Sequence, residues 1–428
     1  MNKLNELTAT EVVKKIKNGK ITAEAVMRDC LNRVTEREAT IKAWAYLNPE
    51  QALKAAIEID RGEKSAPLAG LPIGIKDVLD TSDMPTEMGS SIYTGWKPKV
   101  DAACVGVMRA AGALVMGKTV TCEFAGSYPG PTANPVNPEH TPGGSSSGSA
   151  AAVADRMVHV AFGTQTGGSV LRPASFCGIF GYKPTYNIIN RSGLLFASEN
   201  LDTIGLMARS VDDIDLVSSV LLNRPELPPA KEVAYPRIGL VKTHLWTEAS
   251  SETRFAVEDS ARKLSNAGAE IIDIRMPENF EDHTRTRNLL NDFERSRVLS
   301  WHSRNHREKM SDKILQQVDN GLTIPWDEYR SALQRAEDGR AMMDTIFKPL
   351  DFILTPAASG EAPKTLRDTG DARFQGYWTI LHVPTMTLPT HTGPNELPVG
   401  IQLVCPRWQD NQLISWCKWV SKILINKN

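Results

Sequence analysis

From residue 68 onward, short apolar runs alternate with helix-length stretches, joined by loops rich in Gly, Ser and Pro. No other feature constrains the fold as strongly. Strand-like runs stand at 71–78 (LPIGIKDV), 113–116, 237–241, 270–274, 352–355, 385–388 and 399–404, and helices are expected over 102–111, from Ala150, and over 252–267. Strands interleaved with helices predict an α/β fold built on a substantially parallel or mixed sheet. Residues 1–64 read instead as helices. Thr8 and Glu11 stand at capping-box spacing, a second helix starts after Thr22 with Val26, Cys30 and Val34 on one stripe, and a third covers about 49–60. The expected organisation is one large domain over 1–428 with this helical leader and no internal repeat. The Pro-rich run 222–236 (LNRPELPPAKEVAYP) reads as a surface crossing between two lobes.

Charge and cysteine content exclude several functions. Lys+Arg 49 against Asp+Glu 50 leaves no global field to hold a polyanion, so nucleic acid is not an expected partner. The six cysteines, Cys30, Cys104, Cys122, Cys177, Cys405 and Cys417, are scattered without C-x-x-C spacing, which argues against a disulfide framework or zinc cluster. No run approaches the ~18 apolar residues of a membrane span, and the N-terminus is charged throughout. A cytoplasmic protein with no membrane partner is expected. Gly112 to Thr119 fits G-x-x-x-x-G-K-[ST], but the intervening Ala-Leu-Val-Met would form a strand. The order helix, glycine, strand is the wrong context for a phosphate loop, so nucleotide binding is rejected.

Two loops carry the chemistry. The first is 141–149 (TPGGSSSGS), running into the Ala150 helix, and the second is 163–173 (GTQTGGSVLRP). Glycines let backbone approach a ligand and let successive N–H groups point one way. A serine after such a run has a hydroxyl beside those amides, as acyl transfer demands. None of the eight histidines lies inside these loops. His140 abuts the first, and His283, His302 and His306 fall in a basic helical segment that reads as a solvated face. Lys76, after an apolar strand-like run, is the better base, because burial makes the neutral amine available.

Taken together, GIKD (74–77), GGSSSGSAAAVA from Gly143 and GTQTGGSVLRPASFCG from Gly163 resemble the three signature segments of the amidase signature family. Further similarity runs through GYKPTY, DFILTPAASGEAP (351–363), TGDARF (369–374) and LPVGIQLV (397–404), and is weaker over 240–345. The resemblance implies an α/β fold with a large central mixed twisted sheet covered by helices on both faces. Residues 65–220 would form its core, 221–428 the rest of the sheet, and about 280–345 a more variable helical region. It also implies a Ser–Ser–Lys triad: Ser169 as nucleophile, Ser145 as bridging serine at a cis peptide bond, and Lys76 as base. The backbone N–H groups of Thr166, Gly167, Gly168 and Ser169 would form the oxyanion hole, and no metal or organic cofactor is required. Ser146 would support the lysine by hydrogen bonding, or serve as a capping hydroxyl.

Many members read DTGGSIRxPA, whereas this chain has Gln165-Thr-Gly-Gly-Ser169-Val-Leu-Arg172-Pro. That pattern resembles malonamidase-type members, where the corresponding arginine holds a substrate carboxylate. Arg172, with Ser146 and Gly144, is accordingly a candidate substrate contact, the alternative being that Arg172 only shapes the loop. The same departure counts against a glutamine amidotransferase A-type subunit, which works with partner chains. The expected activity is hydrolysis of a small-molecule amide at its C–N bond. A carbamate or ester hydrolase and the amidotransferase subunit remain alternatives, and a homodimer stays open. Trp301, Trp326, Tyr329, Trp378 and His382, and the run 86–90 before Tyr93, are candidates for shaping specificity, though aromatics at such places are more often core.

Overall fold

The computed structural model describes residues 3–62, 65–227 and 235–425. Residues 228–234 of the Pro-rich 222–236 crossing therefore lie outside the described residues. Eleven strands form one mixed sheet: β1 Trp44–Leu47, β2 Pro72–Lys76, β3 Leu114–Thr119, β4 Val160–Gln165, β5 Phe180–Lys183, β6 Thr203–Ala208, β7 Arg237–Leu240, β8 Glu270–Asp273, β9 Phe352–Pro356, β10 Thr385–Thr392 and β11 Pro398–Val404. Their order is β1-β3-β2-β4-β6-β5-β10-β11-β9-β7-β8. β2 runs parallel to β3 and β4, and β7 runs parallel to β8 and β9; the remaining pairings are antiparallel. Helices flank this sheet, as the amidase-signature resemblance implies. No described helix is long and apolar enough to cross a membrane.

The parallel pair β2/β4 positions the chemistry. Ile73, Gly74 and Ile75 lie opposite Val160, Ala161 and Phe162. Both strands therefore end on the same sheet edge, bringing Lys76 beside the Thr164–Thr166 segment. Every residue of both strands is buried, as expected of strands covered on both faces. Ile73, Ile75 and Phe162 are fully buried, each such side chain contributing about 1.5–3 kcal/mol on leaving water. Helix Ser147–Ala154 consists almost wholly of Ser, Gly and Ala and packs on β2 and β4. Its small side chains let the loop before it come close to the strand ends.

Several expectations change. The N-terminal leader contains β1, an edge strand paired antiparallel with β3, between two of its helices. β4, β5 and β6 were not anticipated, and residues 163–165 belong to β4 rather than to a loop. His283 and His302 are buried, not on a solvated face: His283 Nδ1 lies 2.9 Å from the Phe280 carbonyl and His302 Nε2 2.7 Å from the Tyr93 hydroxyl. Trp378, Tyr329 and His382 are core residues, and Trp301 and Trp326 are exposed. Lys118 lies on the buried strand β3, 3.4 Å from Asp77 and donating to Thr86 Oγ1 at 2.5 Å. That is no setting for a phosphate loop.

Candidate active site

Lys76 ends β2 with no exposure to solvent. Its Nζ donates to Ser145 Oγ at 2.7 Å and to Thr164 Oγ1 at 2.8 Å, with the Thr164 carbonyl at 3.4 Å. Burial pulls its pKa down to about 7, Arg295 adds to the shift, and Cys122 and Asp202 oppose it. A lysine titrating near neutrality exists partly as free amine, and the Ser145 contact can then run the other way, the hydroxyl donating to nitrogen. Thr164, two residues past the last β2/β4 pairing, is not picked out from sequence; its only signal is a hydroxyl at a strand end beside a Gly/Ser loop.

The first loop is held by its backbone. The Gly144–Ser145 peptide is cis, as the resemblance implies. The Ser145 carbonyl accepts from the Cys122 N–H at 3.1 Å, and Ser145 itself is 1 % exposed. Ser146 matches neither expected role. Its hydroxyl bonds to the Thr164 backbone, donating to the carbonyl at 3.3 Å and accepting from the N–H at 3.2 Å. It also makes no capping bond to helix Ser147–Ala154. It supports Lys76 only indirectly, by fixing Thr164. Arg172 donates from Nη2 to the Gly144 carbonyl at 2.6 Å and to Thr369 Oγ1 at 3.1 Å. This ties the second loop to the first at the residue before Ser145.

The second loop follows β4. Gln165 Oε1 accepts from the Val170 and Leu171 N–H groups at 2.8 and 3.0 Å, and its Nε2 donates to Thr379 Oγ1 at 3.0 Å. Gln165 thus does the accepting work open to an aspartate, without adding a buried charge. Thr379 in turn donates to the Gly167 carbonyl at 2.6 Å. Thr166 Oγ1 donates to Asp202 at 2.5 Å, and Asp202 also accepts from the Ala197 and Ser198 N–H groups. Among the described residues, the N–H groups of Gly167, Gly168 and Ser169 have no protein acceptor. The Ser169 carbonyl accepts from the Ser146 N–H at 3.3 Å, which brings position 169 to the residue next to Ser145.

Thr166 to Ser169 and Arg172 form part of the wall of a 460 Å³ cavity, with Arg287, Asn291 and Arg295 facing them. Lys76, Gly144, Ser145 and Ser146 are not on that wall. The segment 86–90 sits mostly at a separate pocket with Trp44 and Tyr128. A Cβ on Gly168 would collide with the buried Gln375 side-chain amide. Gly168→Ala is therefore expected to displace the loop and cut kcat/KM by about 100-fold, measured beside a thermal melt. An unchanged kcat/KM would mean that the geometry of these amides does not matter.

The Amidase family model matches residues 25–414. The chain belongs to the amidase family. The A-type subunit of glutamyl-tRNA(Gln) amidotransferase from Rhodopirellula baltica is 32 % identical over 471 aligned residues, covering 95 % of this chain and 94 % of that protein. Among solved structures, an amidase superposes with a TM-score of 0.91 at 28 % identity, covering 98 % of this chain and all of that one. The peptide amidase of Stenotrophomonas maltophilia superposes with a TM-score of 0.85 at 27 % identity, covering 99 % and 98 %.

Proposed function

We propose that this member of the amidase family is a serine amidohydrolase that cleaves the C–N bond of a small amide through an acyl-enzyme on Ser169. Neutral Lys76 takes a proton from Ser145, which takes one from Ser169 as its oxygen attacks the carbonyl carbon. The tetrahedral oxyanion is received by the N–H groups between Thr166 and Ser169. Lys76 and Ser145 return the proton to the leaving nitrogen as the C–N bond breaks. Water then repeats the attack and frees the acid. The observation that carries this reading is the buried Lys76 amine, 2.7 Å from Ser145 and titrating near 7. A carbamate or ester would pass through the same steps.

A second reading is favoured by the curated relatives: a glutamine-hydrolysing component that delivers ammonia within a complex. The likeness to malonamidase-type members, by contrast, rests on the Gln165–Arg172 motif alone. The two main readings share all their chemistry and differ in the need for partner chains. The alignment with the amidotransferase relatives is longer than this chain, so those proteins carry internal segments that it lacks. The deciding experiment uses the purified chain alone on glutamine, aliphatic amides, anilides, carbamates and esters. Turnover of a free amide without partners is expected. Activity that appears only with co-purified polypeptides would establish the amidotransferase reading instead.

A further inference from the structure

Helix Asp282–Val298 lines the cavity opposite Ser169. Arg287, Asn291 and Arg295 on it are spaced i, i+4 and i+8, which places all three on one face. Arg295 is 2 % exposed, and its Nη1 donates to the Phe124 carbonyl at 3.0 Å. Its Nε is buried without a partner. Arg287 reaches across to the second loop: its Nη1 lies 2.8 Å from where a Cβ on Gly167 would stand. Its Nη2 donates to the neighbouring Asn288 side chain, and its Nε too is buried without a partner.

Among the described residues, no ion pair joins Arg172, Arg287 or Arg295 to a carboxylate. Two acids also face the cavity. Asp368 is taken by Lys313 at 3.5 Å, and Asp292 accepts from Asn291, its acidity weakened by burial. Asp292 attracts both Arg287 and Arg295, Asp371 also attracts Arg287, and Asp202 and Glu123 attract Arg295, but none of them bonds the buried Nε groups, so an anion that accepts those N–H groups offsets part of the burial cost. Arg172 Nε is likewise buried without a partner, but its Nη2 ties the two catalytic loops together through Gly144 and Thr369, which assigns it to the loops.

We propose that Arg287 and Arg295 form an anion clamp facing Ser169, so that the substrate is a short amide carrying a carboxylate, with Arg172 holding the catalytic loops rather than the ligand. This rests on the amidohydrolase reading above. Gly167 and Ser169 are two residues apart, a span of at most ~7 Å, so the carboxylate stands roughly two to four bonds from the scissile carbonyl. A planar guanidinium suits a carboxylate, and hydrogen bonds to a charged partner are among the stronger ones.

The test compares succinamate with the neutral butyramide, together with calorimetric titration of succinate. The wild-type protein is expected to prefer succinamate by about thirty-fold in kcat/KM. Arg287→Gln and Arg295→Gln should each bring that ratio toward unity. Asn291→Asp, which sets a carboxylate between the two cations and fills the clamp from within, should do the same, and a thermal melt beside it checks that the fold survives loss of the Asn291–Asp292 hydrogen bond. An unchanged ratio in Arg287→Gln and Asn291→Asp overturns the clamp and leaves the amidohydrolase reading standing. If no amide is turned over, the amidohydrolase reading fails and succinate binding decides the clamp. Binding that weakens at least ten-fold in Asn291→Asp supports it, and absence of binding to the wild-type protein overturns it.

Discussion

Replacing Ser169 by alanine is expected to lower kcat/KM for any amide substrate by roughly 10⁵-fold or more, the loss typical of removing a nucleophile from a coupled catalytic set. The residual rate would come from the amides of the second loop and from binding, which still favour attack by water. The fold should survive. The loop is ordered by Gln165, by Thr379 and by the Ser169 backbone carbonyl rather than by the Ser169 side chain. Ser169 is buried on the cavity wall, and removing one hydroxyl there is expected to shift stability by about 1 kcal/mol. Mass spectrometry after rapid quenching provides the second readout. The wild-type protein should carry an acyl adduct on the peptide containing Ser169, and the variant none. Activity within ten-fold of wild type, or an adduct on the Ser145 peptide instead, would remove Ser169 from its role and exchange the two serines in the mechanism.

The proposed reacting groups are legible in sequence because they depend on local chemistry. The GIKD segment places a lysine at the end of an apolar strand, and each Gly/Ser loop brings a hydroxyl and free amides together. The strands that hold them were harder to read. β5 and β6 carry Gly181 and Gly205, whose added Cβ atoms would stand 2.5 Å from Ala174 Cβ and from the Tyr182 carbonyl. Close packing of helix Leu171–Cys177 requires glycine at 181 and the neighbouring β5 backbone requires it at 205, and in sequence such glycines look like loop residues. Gln165 presented itself as a missing aspartate; only its contacts to Val170, Leu171 and Thr379 reveal a neutral replacement with the same acceptor role. Arg287 and Arg295 lie in a strongly polar helix, where charge patterning argues for solvent exposure. The tertiary fold turns that face onto the cavity. Period and composition report which faces can be wet, but not which polar face a functional cavity will claim.

Lys76→Met is expected to cost about 10⁴-fold in kcat/KM near pH 8 and to change the shape of the pH profile. In the wild-type protein the amine must be neutral to accept the Ser145 proton. With the pKa drawn down to about 7 by burial, activity should fall about ten-fold per pH unit below that point and level off above it. Methionine keeps much of the volume of the lysine stem and cannot titrate, so the variant should lack this acidic limb. Stability supplies an independent check. The unfolded lysine, near pKa 10.5, binds its proton between about pH 7 and 10.5, where the folded one does not, so this residue makes stability rise with pH across that window. Below about pH 7 both states are protonated and the full cost of burying the charge remains. Lys183, also buried and pulled down to about 7, adds a slope of the same sign, so the informative quantity is the difference between wild type and variant. The melting temperature of Lys76→Met should exceed that of wild type most at pH 6–7, and the gap should close as pH rises. A variant that keeps the acidic limb, or a melting-temperature difference independent of pH, would mean that Lys76 stays charged in the folded protein and that another group receives the proton.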